Sequence, residues 1–146
     1  MLGWVPARLP RCLHSACERV PRGYIGHSGA RVQGDFRSQH HNIPGLLRRQ
    51  PAPLVHLHPR DAGARGIADG GEVAVATERG RMKCRAHVTV DVLPGVVEVS
   101  MGGGGVIGPP AWQQSNVNEL TDTDNRDPLS GFPVFKALLC EVIAAT

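Results

Sequence analysis

The sequence predicts a mainly β domain whose short strands close, or nearly close, into a barrel. Three observations predict it. The 146 residues include Gly 18 and Pro 12, which supply turns at a spacing that suits short strands better than long helices. Residues 81–90 alternate in polarity: Met82, Cys84, Ala86, Val88 and Val90 are apolar, against polar Arg81, Lys83, Arg85, His87 and Thr89. That is the period of a strand with one face inward and one toward water. Several further apolar runs follow at close spacing, separated by Gly or Pro turns, as in small barrels. The length fits one domain. Aromatics make up only 4% of the chain, so the core must come mainly from Val, Leu, Ile and Ala.

The elements are expected in the following order. Residues 1–25 show no period, and Pro6, Pro10, Pro21 and Gly23 break any helix. They read as a poorly ordered leader, which leaves residues 26–146 as the domain. Pro44-Gly45 predicts a turn, and Pro51-Ala52-Pro53 a stiff extended link. Residues 54–58 predict a strand with His56 and His58 on one face. Residues 61–66 predict a single helical turn, capped by Asp61 and stopped by Gly66. Asp69-Gly70-Gly71 is a tight turn, residues 72–78 a strand, and Arg79-Gly80 a return. The strand at 81–90 should be firm in register, because a one-residue slip would turn every side chain to the wrong face. Leu93-Pro94-Gly95 turns the chain again, 96–100 is a strand, and 101–108 a glycine-rich loop. Residues 134–143 supply the last strand, with Phe135 and Leu139 as core candidates.

The net charge is +3 but uneven. Residues 1–50 hold eight Arg and two acids, whereas residues 51–146 hold eight bases and eleven acids. A basic first third suits an anionic partner such as a phosphorylated ligand. No long Lys/Arg run and few aromatics for stacking bases argue against nucleic acid. No stretch approaches the ~18 apolar residues that a membrane span needs. Of the four cysteines, Cys12 and Cys17 match no standard zinc spacing, while Cys84 and Cys140 fall in apolar strand patterns. Buried, reduced thiols and no disulfide framework are expected. His56 and His58 lack a third ligand and read as polar alternation rather than a metal site. Asp122, Asp124 and Asp127 lack calcium-loop spacing and read as a solvated acidic turn.

Two polar knots do not fit a core. One holds Arg31 and the run Phe36-Arg37-Ser38-Gln39-His40-His41-Asn42; the other holds Asn118-Glu119-Leu120-Thr121 and Asp127-Pro128-Leu129-Ser130-Gly131. Such residues present amides and hydroxyls to a polar ligand. The expectation is that the two knots meet and hold one large, anionic, heteroaromatic group.

These knots continue into a longer pattern: Pro53-Leu54-Val55-His56-Leu57-His58-Pro59, Asp61-Ala62, Gly66-Ile67-Ala68-Asp69-Gly70, Arg79-Gly80, Ala86-His87-Val88-Thr89 and Leu93-Pro94-Gly95. In this order and spacing, over roughly residues 26–143, the chain resembles the C-terminal molybdopterin-dinucleotide-binding domain of the dimethyl sulfoxide reductase and formate dehydrogenase family of molybdopterin oxidoreductases. The resemblance implies a double-psi β-barrel, related to the aspartate-decarboxylase fold, with short helical turns. It implies molybdopterin guanine dinucleotide, carrying Mo or W, as the cofactor. Gly29 would let the backbone approach the cofactor, and Arg31 would give forked hydrogen bonds to an anion. Ser38, Gln39, His40 and Asn42 would offer neutral partners to a pterin edge, Asn118 would read it from the opposite side, and Lys136 would meet cofactor charge. Residues 102–105 would form a backbone nest for phosphate.

Full-length members carry an iron–sulfur segment, larger α/β domains and a protein ligand to the metal, none of which fits in 146 residues. The resemblance therefore implies a fragment or small subunit that is not catalytic alone. Its partners would be catalytic and iron–sulfur domains or subunits of one oxidoreductase. It would be cytoplasmic, or periplasmic if carried there by a partner. Two rival readings are a double-psi barrel used as a protein-interaction module and a non-functional remnant of a split gene.

Overall fold

A computed structural model describes residues 23–26, 39–106, 108–121, 124, 126–132 and 138–145. The described strands are β1 (Gly23–Gly26), β2 (Leu54–Leu57), β3 (Glu72–Ala76), β4 (Arg81–Val88), β5 (Val96–Val99) and β6 (Leu138–Ala144). Their pairings form a closed ring in the order β1-β5-β2-β4-β3-β6, returning from β6 to β1. The sheet is mixed. β1 runs parallel to β5 and β2 parallel to β4, while the other four pairings are antiparallel. The fold is thus mainly β and barrel-like, with short helical turns. β1 lies across the expected boundary at residue 26, since the ring closes through Gly23 paired with Cys140.

The alternation in β4 sets its register. Met82, Cys84 and Ala86 are buried while Arg81, Lys83, Arg85 and His87 are exposed. The same rule puts Val55 and Leu57 of β2, Val73 and Val75 of β3, and Val97 and Val99 of β5 into the core. Each such side chain contributes about 1.5–3 kcal/mol by leaving water. In β6 the inward positions are Cys140 and Val142, whereas the expected core residue Leu139 is only half-buried. Phe135, the other expected core residue of that strand, lies outside the described residues, as do Cys12, Cys17 and Asp122. Cys84 and Cys140 are free and buried, and burial pushes both thiols up to about 12.

Three local expectations are corrected. Pro44-Gly45 is not a turn but the start of helix α1 (Pro44–Arg49), because a proline in the first helical turn needs no N–H partner. β2 ends at Leu57, so His58 does not share a strand face with His56. His58 instead caps helix α2 (Pro59–Ala64), its Nδ1 accepting the Arg60 N–H at 3.1 Å. Asp61, expected as that cap, sits in the first turn, and its Oδ2 accepts the Gly95 N–H at 2.6 Å. A carboxylate there secures the turn into β5, 34 residues along the chain from its own helix. The stop at Gly66 is as expected, with φ 65.

Candidate functional site

The polar segments converge at one end of the barrel on a cleft of about 470 Å³. Three stretches line it. The first is a 3-10 turn, Gln39–Asn42, which gives His41 and Asn42. The second is the glycine-rich loop after β5, which gives Met101, Gly102, Gly103, Gly104 and Gly108. The third gives Asn116, Val117 and Asn118. Among the described residues, no acid lines the cleft.

Each wall is held from behind. Asn118 lies on a 3-10 turn, Val117–Leu120, whose ends Val117 and Leu120 are buried in the core while Asn118 stays exposed. The Asn116 side chain caps this turn by accepting the Asn118 N–H at 3.1 Å, which is the usual capping role of Asn. The β3–β4 hairpin grips the same turn: the Thr77 hydroxyl donates to the Leu120 carbonyl at 3.0 Å. Gly80 faces the Glu119 carbonyl so closely that a Cβ would sit 2.6 Å from it. Arg79-Gly80 therefore serves the site as well as the hairpin.

The glycine loop packs backbone to backbone. Gly104 N–H donates to the Trp112 carbonyl at 2.8 Å. A Cβ on Gly103 would collide with Ser115 Oγ and come 2.8 Å from the Trp112 carbonyl, and one on Gly104 would come 2.6 Å from Asn116 Cβ. Gly104 also has φ 103, a region that side chains resist. Behind the loop, Gln50 Nε2 donates to Ser100 Oγ at 2.7 Å, which ties helix α1 to the residue after β5.

The histidines divide the labour in a way the sequence did not reveal. His40 was expected to touch ligand. It is 1% exposed and does not line the cleft. Its ring packs on Trp112 (centroids 4.9 Å apart) and on His41 (4.2 Å). His41 lines the cleft and also packs on Trp112, at 4.6 Å. Burial first, then the neighbouring His40, lowers the His41 pKa, which favours neutral imidazole. Gln39 is exposed and is not among the lining residues. Of the expected site residues, then, Asn42 and Asn118 both line the cleft, His40 packs behind it, and Gln39 is not among the lining residues. Gly29, Arg31, Ser38 and Lys136 lie outside the described residues.

Asp127 has a structural occupation. It accepts from the backbone N–H groups of Leu129 and Ser130 and from the Ser130 hydroxyl. These bonds, the Ser130 N–H above all, lower its pKa. The Asp127-Pro128-Leu129-Ser130-Gly131 run is thus a self-bonded turn. Half-buried His56 and exposed His87 form another imidazole pair, ring centroids 5.0 Å apart across β2 and β4. No group of three or more His, Cys, Asp or Glu among the described residues could hold a metal ion. No helix among them is long and apolar enough to cross a membrane.

Residues 28–139 match the family model for the molydopterin dinucleotide binding domain. The chain belongs to that family. This molydopterin dinucleotide binding domain is 30% identical over 128 residues to a dopamine dehydroxylase from Eggerthella lenta, which covers 82% of this chain and 12% of the relative. It is 47% identical over 73 residues to a dimethyl sulfoxide/trimethylamine N-oxide reductase from Rhodobacter capsulatus, covering 47% of this chain and 9% of the relative. Among solved structures, acetylene hydratase from Pelobacter acetylenicus matches with a TM-score of 0.72 at 23% identity, over 90% of this chain and 19% of that one. The match supports the fold. The family match makes the chain a cofactor-binding domain, consistent with molybdopterin guanine dinucleotide. The chain spans about an eighth of the length of the Eggerthella relative.

The cleft fits such a group. Its glycine wall admits close backbone approach, Asn42, Asn116 and Asn118 offer side-chain amides, and no acid is among the described residues that line it. His41 Nε2 is buried with no hydrogen-bond partner among the described residues, which is costly unless something pairs with it.

Proposed function

We propose that the cleft between the Gln39–Asn42 turn and the Val117–Leu120 turn holds part of molybdopterin guanine dinucleotide. The observation that carries this reading is the convergence of Asn42 and Asn118 on one cleft, from positions far apart in the chain. Asn42 and Asn118 offer amide donors and acceptors to the heteroaromatic edge, and the glycine loop offers backbone N–H groups to phosphate oxygens. Neutral His41 suits an uncharged hydrogen-bond edge better than a phosphate. Arg31, Gly29, Ser38 and Lys136 are proposed to complete the site, with Gln39 at its margin. The cofactor, when bound, supplies the redox chemistry, and this chain binds and orients it. The activity itself would belong to a larger molybdenum or tungsten oxidoreductase whose other domains or subunits are the partners. The two parallel pairings within the closed ring, β1 with β5 and β2 with β4, support a double-psi reading of the barrel.

The test is calorimetric titration of the full chain with the dinucleotide released from a purified molybdoenzyme. Saturable binding that weakens roughly tenfold in each of Asn42→Ala and Asn118→Ala is expected. A folded chain that takes up no dinucleotide, or whose binding ignores both substitutions, overturns the reading.

A further inference from the structure

Trp112 lines no part of the cleft, yet it touches two of the stretches that do and Ser115, which leads into the third. Its ring is fully buried, 0% exposed, and lies edge-on to both His40 and His41. Its carbonyl accepts three hydrogen bonds: from Gly104 N–H at 2.8 Å, from Ser115 N–H at 3.2 Å and from Ser115 Oγ at 2.7 Å. Ser115 is itself 0% exposed, and it precedes Asn116, which caps the Asn118 turn. The residue stands outside the main apolar cluster of the barrel. A large side chain buried away from that cluster, between three polar segments, stabilises their mutual placement more than the barrel.

We propose that Trp112 is the positioning residue of the cleft, its ring fixing the histidine wall and its carbonyl fixing the glycine and asparagine walls, so that the three hold one geometry. The ring restrains rotation of the two imidazoles, and the triply engaged carbonyl prevents the glycine loop from sampling the many conformations its composition allows. Only the ligand arm of the test below rests on the cofactor reading given above.

The experiment uses the full chain, isotopically labelled, with Trp112→Leu, Trp112→Phe, Ser115→Ala and, as a control from the barrel core, Leu57→Ala. The readouts are the side-chain amide signals of Asn42 and Asn118, the backbone signals of Gly103 and Gly104, and the titration of His41. Trp112→Leu, which removes the ring but keeps the backbone carbonyl, is expected to shift the Asn42 signals and to raise the His41 midpoint toward that of an ordinary histidine, with smaller shifts at Gly103, Gly104 and Asn118. Trp112→Phe should restore the imidazole signals. Ser115→Ala, which keeps the ring, should move only the glycine and Asn118 signals, and it keeps the test alive if Trp112→Leu does not fold. Leu57→Ala should cost stability and leave the cleft signals in place. The idea is overturned if the control disturbs the cleft signals as much as Trp112→Leu does. It is also overturned if Trp112→Leu or Ser115→Ala folds and leaves them unmoved. With guanosine monophosphate as the probe, Trp112→Leu should weaken binding about tenfold relative to Leu57→Ala; equal affinity in those two overturns the role in binding. A wild-type chain that ignores the nucleotide counts against the cofactor reading, while the spectra still decide the positioning role.

Discussion

The barrel wall and the cleft rim are built by different physics. In the wall, Val55, Leu57, Val73 and Val75 are at most 1% exposed, and strand pairing plus apolar burial hold them. At the rim, most of the lining residues are half-buried or exposed. The glycine loop, the Asn116 cap and the Thr77 clamp rely on hydrogen bonds to backbone atoms and on the absence of Cβ atoms. The wall tolerates exchange among apolar residues of similar volume. The rim does not, because its contacts are specific to an amide, a hydroxyl or a missing side chain. Damage to the wall should therefore read out as lost stability, and damage to the rim as lost ligand.

The largest effect is expected from Leu57→Ala, which should cost about 3 kcal/mol in denaturant unfolding through the cavity it leaves. Ligand affinity in the folded fraction should hold. Gly103→Ala is next: with Ser115 Oγ and the Trp112 carbonyl in the way, the loop must shift, at about 2 kcal/mol. Binding should be abolished while hydrogen-exchange protection in β2 and β4 persists; loss of that protection would merge the two regions and break the contrast. Asn116→Ala removes the cap on the Asn118 turn, at about 1 kcal/mol, and should weaken binding although Asn118 itself is intact. Asn118→Ala is exposed and should change stability by no more than about 0.5 kcal/mol. It should nonetheless cost roughly tenfold in affinity, as for the loss of about one hydrogen bond.

The smallest effect concerns pH. Asp127 has a folded pKa below its ordinary 3.8, chiefly through the Ser130 N–H. The stability this gives is present above the ordinary value and disappears as pH falls through the lowered folded value. Asp127→Ala should flatten the acid limb slightly in urea titrations run between pH 5 and 2, without touching the Leu57 contribution.

The barrel was legible because its signal is periodic. The alternation in residues 81–88 fixed both faces of β4, and the Gly/Pro turns separated its neighbours correctly. Where reading failed, a residue had two plausible local jobs. Asp61 and His58 each suit a cap, and only the path of β5, which brings Gly95 beside Asp61, decides between them. Asn42 and Asn118 were legible as a pair through the family pattern. His40 and His41 were not separable, because both rings pack on Trp112 and nothing in the run says which of two neighbours, about 120° apart on a 3-10 turn, lines the cleft. Asn116 could have been found from its spacing two residues before Asn118, which is the distance of a side-chain cap. Trp112 carried no signal in a sequence poor in aromatics beyond being one of Trp 2.

The seam between β1 and β6, which joins Gly23 to Cys140, governs how the domain comes into being. During synthesis the early strand must wait for the late one, so the sheet stays unsealed until residues 138–144 have left the ribosome. Such distant pairing slows acquisition of structure and leaves raw strand edges open to stray partners meanwhile. Once sealed, the ring offers no edge on which another chain could add itself.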